Sequence, residues 1–332
     1  MTTRVGRYTT GVYSARNGRV SAGPPRAPKI CTSLGAVPGA SERIPSPLQA
    51  LLIWLTAAFG IVGAGLAVAS AAAASVVARG QDPVAVLGDP KTSPLTNSTA
   101  WIAGGTFVNE IAVLLTVVLW LWLLKTPLRL ALPLGRPSVL GAVGAILLVF
   151  GVAPVAEVMG ELVHRVTGHE YTASRIVVNA ARNASGAGVV GLVVALGVMP
   201  ALAEEALFRG LITLPFARRF AWGLVVPSVL FGLFHLEPTQ IAGTMVLGVA
   251  FAAGRLCTGT LVTSMIAHGV YNTTVVLSVR YTNALADREL NVVPVAIGLA
   301  VALVGGVLLW RERRMLFARA GGGRDAMPSW WI

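Results

Sequence analysis

Three charged residues lie at the end of an apolar stretch of the chain. The segment MPALAEEALFRG at residues 199–210 contains Glu204, Glu205 and Arg209, and the sequence back to Gly186 is apolar. A charge at the middle of a bilayer costs about 2.5–3.5 kcal/mol on insertion scales, so it needs a partner or a chemical task. On a helix, Glu205 and Arg209 share a face and can pair, whereas Glu204 is rotated by about 100° from Glu205. The spacing predicts a supporting ion pair and a free carboxylate at Glu204; the alternative is two ordinary helix-end charges in interfacial water.

Two further apolar segments each contain a histidine. The sequence FGLFHLEP places Phe231 and His235 four residues apart, and SMIAHGVYNTT does the same for His268 and Asn272, so each pair lies on one helical face. A single such histidine is more often a hydrogen-bonded packing residue than a functional one. Together with Glu204, however, the three segments supply a base, two imidazoles and an amide, and this combination is harder to explain as packing alone.

The composition of the chain is that of an integral membrane protein. Its 332 residues have a mean hydropathy of +0.73 and only 12% are charged, about half the usual share in soluble domains. The net charge of +12 does not indicate nucleic-acid binding, because Lys and Arg collect in the tails and in alternate loops rather than in one patch. Cys31 and Cys257 are too few for a metal-binding framework.

Apolar segments follow one another along the chain and predict an all-α polytopic bundle of about eight transmembrane helices. A bilayer core of roughly 30 Å needs about 20 helical residues, and most segments reach that length. The fifth and sixth are shorter, and Pro227 lies inside the fifth. The segments are 48–77, 101–124, 138–162, 186–206, 221–236, 240–256, 260–279 and 292–310.

The distribution of basic residues predicts the orientation of the bundle in the cell membrane. With Arg209 left aside, 18 Lys and Arg lie in the tails and the loops on their side, and 7 lie in the opposite loops. This bias places both termini in the cytoplasm. Three of the 7 belong to the loop 163–185, where an interfacial helix at 171–183 is expected. The tail at 1–46 lacks a hydrophobic period and is expected to be disordered.

The three motifs together resemble those of the CPBP family of intramembrane endopeptidases, which includes the CaaX prenyl endopeptidase of type two. They are EEALFR at 204–209, F-x-x-x-H at 231–235 and H-x-x-x-N at 268–272. The resemblance covers roughly residues 186–280. It implies about eight helices that enclose a cavity in the membrane, and a membrane-embedded or lipidated peptide as substrate.

The resemblance also implies roles for the motif residues. Glu204 resembles the catalytic glutamate, His235 its partner in holding a water, and His268 with Asn272 the pair that stabilises the oxyanion. The supporting residues are Glu205, Arg209 and Phe231. The implied division of the chain is a cytoplasmic tail (1–46), N-terminal helices (47–185), a catalytic core (186–280) and a last helix with a basic cytoplasmic tail (281–332).

Metal dependence stays open at the level of sequence. Glu204, His235 and His268 with a water would make a conceivable zinc set, but no H-E-x-x-H motif is present and the ligands would have to converge from three helices. We favour a metal-free glutamate mechanism, with zinc as the alternative. The sequence EVMGELVH at 157–164 matches half of a di-iron pattern, and we interpret it as a solvated helix end because a second copy is missing.

The leading functional prediction is an intramembrane endopeptidase that uses a glutamate-activated water. One alternative is a non-catalytic immunity or binding protein of the same fold, and another is a proton-coupled transporter of small solutes that uses its intramembrane Glu and His. The Ala-, Val-, Gly- and Arg-rich composition suggests a bacterial source, and membrane lipids are the expected surroundings. A further acid, Glu110, is expected to lie at the interface near the start of the second span.

Overall fold

The computed structural model describes residues 44–89, 91, 93–217, 219–282 and 292–319. These residues form twelve helices, and the described part of the chain contains no strand, as the all-α prediction requires. The helices are α1 (Pro47–Val77), α2 (Pro83–Gly88), α3 (Pro94–Asn97), α4 (Thr99–Leu124), α5 (Leu128–Ala131), α6 (Val139–Thr167), α7 (Thr172–Asn183), α8 (Ala187–Ile212), α9 (Phe220–Phe234), α10 (Pro238–Thr258), α11 (Leu261–Tyr281) and α12 (Val292–Arg319).

Each of the eight predicted apolar segments coincides with a helix, but fewer than eight are full spans. Among the described residues, six helices are long and apolar enough to cross a membrane: α1, α4, α6, α8, α10 and α12. The protein is therefore a multi-pass membrane protein, and the predicted count of eight is not confirmed. Helix α9 has 15 residues, about 22 Å at 1.5 Å per residue. Helix α11 is long enough but interrupts its apolar surface with His268 and Asn272.

Helix α6 is the central packing element, and glycines let its neighbours approach closely. A Cβ atom at Gly151 would lie 2.7 Å from the carbonyl oxygen of Gly298 on α12, and one at Gly243 of α10 would lie 2.7 Å from that of Ala156. Lipid tails are as apolar as the helix surfaces, so association in a membrane depends on such close packing between small residues. Contacts of α6 with α10, α11 and α12 thus hold the bundle together.

Helix α8 is interrupted by two π-helical stretches, Val193–Val198 and Ala206–Ile212. Pro200 lies between them, and it has no N–H to donate to the carbonyl of Leu196 four residues earlier. Turns of this kind are frequent at functional sites. Glu204 and Glu205 therefore lie at the end of the α-helical turn between the two stretches, and residues 206–209 of the motif lie in the second stretch.

The predicted interfacial helix is present as α7, which begins at Thr172 and ends at Asn183. Most of the predicted tail 1–46, and residues 320–332 of the predicted basic tail, lie outside the described residues. The predicted division into four segments stays a prediction.

Candidate active site

Arg209 ties α8 to two neighbouring helices from a fully buried position. Both Arg209 and Glu205 are 0% exposed, and Nη1 of Arg209 lies 3.1 Å from Oε1 of Glu205, an ion pair by distance that lacks the alignment of a hydrogen bond. Nη2 of Arg209 donates to the backbone carbonyl of Gly248 on α10 at 3.1 Å. The guanidinium also lies 4.4 Å from the ring centroid of Phe231 on α9. The pairing that the i,i+4 spacing predicts is therefore present inside the bundle.

His268 on α11 lies between the two glutamates of α8. Its Nδ1 is 3.0 Å from Oε1 of Glu205, and its Nε2 is 3.8 Å from Oε2 of Glu204. Because the carboxylate of Glu205 is paired with Arg209 and only accepts, we assign a proton to Nδ1. The imidazole also stacks on the Phe251 ring, with centroids 4.4 Å apart and planes inclined by 16°. Two contacts and a stacked ring thus fix the orientation of His268.

Glu204 and Glu205 have different surroundings, as their rotation on the helix predicts. Glu205 is fully enclosed and contacts Arg209 and His268. The side chain of Glu204 keeps 11% of its surface exposed, and its ion-pair contact is with His268 on a different helix. The 3.8 Å between Oε2 of Glu204 and Nε2 of His268 is longer than a direct hydrogen bond.

His235 caps the C-terminal end of α9. Its Nδ1 lies 3.0 Å from the carbonyl oxygen of Phe231, which can only accept, so Nδ1 donates and Nε2 stays free to accept. The ring of Phe231 packs edge-on against both histidines, with centroid distances of 5.1 Å to His235 and 6.0 Å to His268. Phe231 therefore spaces the two imidazoles.

Asn272 lies one helical turn beyond His268 and contacts the altered part of α8. Its Nδ2 donates to the carbonyl oxygen of Leu196 at 3.2 Å. This is the carbonyl that would accept from position 200 in a regular α-helix, where Pro200 has no N–H. The side chain amide of Asn272 thus replaces the missing backbone donor, and its second N–H is left for another acceptor.

A cavity of about 650 Å³ opens at the end of α9. His235, Glu237 and the N-terminal turn of α7 line it, and His235 is the predicted catalytic residue among the lining residues. Leu236, directly after His235, has φ of +58°, a left-handed conformation that is uncommon for a bulky side chain and often marks a functional site. Glu204, His268 and Asn272 are not in the wall of this cavity.

The zinc alternative does not fit the arrangement of side chains. Over the described residues, no group of three or more His, Cys, Asp or Glu side chains lies at metal-binding spacing. The conceivable set of Glu204, His235 and His268 therefore does not come together as a coordination sphere.

Glu161 and His164 in the segment 157–164 make contacts with nearby residues of the chain. Glu161 pairs with Arg165 at 2.7 Å and accepts from the hydroxyl of Tyr171 at 3.0 Å, and Nδ1 of His164 lies 2.7 Å from the carbonyl oxygen of His169. These contacts at the end of α6 agree with the interpretation as a helix end rather than a metal site.

The prediction for Glu110 was wrong. Glu110 is 5% exposed and lies near the middle of α4, not at the interface where we expected it. In the segment 101–124, the residues before and after Asn109 and Glu110 are mainly apolar. This apolar context on both sides is the signal that could have indicated burial of Glu110. Phe251, which stacks on His268, was also missed because an aromatic residue on an apolar helix carries no distinctive pattern.

Comparison with known families agrees with the motifs. Residues 186–274 match the family described as type II CAAX prenyl endopeptidase Rce1-like, and this range includes all four predicted catalytic residues. No curated protein and no solved structure matches the chain. The match supports endopeptidase activity of the CAAX type in general, and the six apolar helices support a location in the membrane. Over residues 186–274, about a quarter of its length, the chain is similar to the Rce1-like type II CAAX prenyl endopeptidases.

Proposed function

We propose that the protein is an intramembrane endopeptidase that hydrolyses a peptide bond with a water activated by Glu204. The single observation that carries this proposal is the position of His268 between Glu204 and Glu205. Glu205 orients the imidazole of His268, and Glu204 stays available to act as a general base.

The reaction needs no group beyond the side chains of the site. The carboxylate of Glu204 takes a proton from water while the water oxygen attacks the carbonyl carbon, and the carbonyl electron pair moves to oxygen. Glu204 then gives the proton to the amide nitrogen as the carbon–nitrogen bond breaks. The products are an acid and an amine, one water is consumed, and Glu204 returns to its ionised form. This is general acid–base catalysis by a single carboxyl group.

His268 is proposed to stabilise the developing oxyanion. It lies between the two carboxylates, with Nδ1 toward Glu205 and Nε2 toward Glu204. The Nε2–H can then donate to the oxyanion together with the second N–H of Asn272. One preorganised donor of this kind contributes about 3–4 kcal/mol to transition-state stabilisation.

His235 is proposed to hold the attacking water. Its Nδ1 is engaged with the Phe231 carbonyl, so Nε2 can accept a hydrogen bond from a water. Because His235 lines the open cavity, that water can enter from the α7 side. The substrate class that fits a site inside six apolar helices is a membrane-embedded or lipidated peptide.

The proposed function predicts that Glu204→Gln abolishes hydrolysis without unfolding the protein. Gln keeps the size of the side chain but cannot take a proton, so we expect a fall in rate of roughly a hundredfold or more. The measurement compares the membrane peptides of cells that produce wild type and Glu204→Gln, followed by cleavage of the identified peptide by purified protein in liposomes.

The matched control is Glu157→Gln, the same change at an exposed position of α6. It should leave cleavage unchanged. Equal cleavage by wild type and Glu204→Gln would exclude the proposal, and a cellular phenotype that survives in Glu204→Gln would instead identify a non-catalytic role.

A further inference from the structure

Glu110 is a buried carboxyl group that the proposed reaction does not yet use. It is 5% exposed, and its Oε2 has no hydrogen-bond partner among the described residues. A carboxyl group in such a place needs a reason, because burial without a partner is costly. Glu110 lies near the middle of α4, and most residues of this helix before and after it are apolar.

Helix α4 packs along α8, including the turn that carries Glu204. Glu110 is near enough to Glu204 for the two carboxyl groups to interact electrostatically. Two carboxyl groups that share a buried site do not both ionise, and one of them keeps a proton. The aspartic protease dyad, in which two carboxyl groups share one proton, is the general example of this behaviour.

The guanidinium of the site already has a carboxylate partner. Arg209 is paired with Glu205, and His268 lies between Glu204 and Glu205. An ionised Glu110 would therefore be a further negative charge without a counterion.

The other helices packed against α4 offer Glu110 no cation. Helix α1 has no charged residue between Pro47 and Val77, and α3 has none between Pro94 and Asn97. Helix α7 carries Arg175, which pairs with Glu170, and Arg182, which is exposed in its last turn and so does not face the buried Glu110. The electrostatic neighbour of Glu110 is therefore the base itself.

We propose that Glu110 and Glu204 form a carboxyl pair that holds one proton in the resting enzyme, with the proton on Glu110. Glu110 is then a positioning residue that acts through Glu204. The proposal rests on the proposed function in that Glu204 is the base. The pair holds one proton at rest and two once Glu204 has taken the proton of water. It holds one again when that proton has passed to the leaving nitrogen.

A shared proton gives the pair two ionisation steps, which kinetics can detect. In wild type, kcat/KM should rise with pH as the first proton leaves the pair and fall as the second leaves. Glu110→Gln has no second carboxyl proton, so its falling limb should move by about one pH unit or more. Its kcat should fall roughly tenfold to a hundredfold, because Glu204 then lacks the neighbouring carboxyl group that positions it.

Two variants separate this role from a structural one. Glu110→Asp keeps a second carboxyl group and should restore both limbs, while Glu157→Gln should keep the wild-type profile. A Glu110→Gln variant with both limbs at their wild-type positions overturns the proposal, even if its activity or stability is reduced. The probe is a quenched-fluorescent peptide built from the segment whose cleavage depends on Glu204.

Infrared spectroscopy supplies a readout that does not need hydrolysis. Purified wild type at neutral pH should contain the carbonyl band of one protonated carboxyl group that is absent from Glu110→Gln and present in Glu157→Gln. An unchanged band in Glu110→Gln overturns the pair. If the band is lost but wild type hydrolyses no peptide, the proposed function fails and the pair stands.

The wild type alone can test the pair if Glu110→Gln does not fold. On titration, its protonated-carboxyl band should disappear over the same pH range as the falling limb of kcat/KM. A band that disappears in a different range from the falling limb overturns the proposal.

Discussion

Arg209 is the residue on which the order of the site depends. It is fully buried, contacts Glu205 and the carbonyl of Gly248, and lies over Phe231. Through Glu205 it also orients His268. A planar guanidinium can make these contacts in several directions at once, which an ammonium group cannot.

The first prediction at this scale concerns Arg209→Met. The change leaves the carboxylate of Glu205 buried without its cation, so we expect the free energy of unfolding to fall by about 3–5 kcal/mol. A second change, Glu205→Met in the same chain, removes the uncompensated charge and should restore most of that loss. Both variants should be inactive, because His268 loses its oriented partner. The measurement is unfolding in detergent followed by the cleavage assay.

Equal stability of the single and double variants would contradict this account of the pair. So would activity of the double variant at the level of wild type, since that would remove Glu205 from the orientation of His268.

At the scale of elements, glycines decide how closely the helices approach. A side chain at Gly151 of α6 would press on the backbone of α12 at Ala302 and Gly298. By contrast, nothing lies within 4 Å of a Cβ added at Gly306, on α12. The two glycines therefore differ in packing although both lie in membrane-spanning helices.

The second prediction follows from this difference. Gly151→Ala should lower the free energy of unfolding by about 1–3 kcal/mol, because overpacking forces α6 and α12 apart. Gly306→Ala should be neutral or slightly stabilising, since Ala is the better helix former by about 1 kcal/mol. Unfolding in detergent measures both. A loss of stability in Gly306→Ala as large as that in Gly151→Ala would show that the close approach is not the cause.

At the scale of the whole molecule, the cavity and the basic residues define two different ends of the bundle. The cavity beside His235 lies at the α7 end. By the topology predicted from the sequence, most Lys and Arg lie in the tails and in the loops at the other end, which the positive-inside rule predicts to face the cytoplasm. We therefore expect the cavity to open on the non-cytoplasmic side.

Labelling with a membrane-impermeant thiol reagent tests this orientation. In a background with Cys31→Ser and Cys257→Ala, His169→Cys at the cavity should be labelled in intact cells. Lys125→Cys, at the end of α4, should be labelled only after the membrane is opened. Both positions are exposed, so the reverse pattern would place the termini outside and the cavity inside.

The sequence predicted the features that depend on neighbours along one helix. The eight helical segments and the pairing of Glu205 with Arg209 follow from local periodicity, and both are present. Local sequence patterns could not predict contacts between helices. Neither the position of His268 between two glutamates nor the burial of Glu110 follows from spacing.

The pairing of Glu205 with Arg209 inside one helix bears on how the protein is made. Synthesis delivers α8 before α9, α10 and α11, so for a time the partners on those helices do not exist. Because the two opposite charges lie four residues apart, this segment can leave the translocon with that pair already neutral, which lowers its insertion cost. Biogenesis of the site can then begin before its last histidine has been translated.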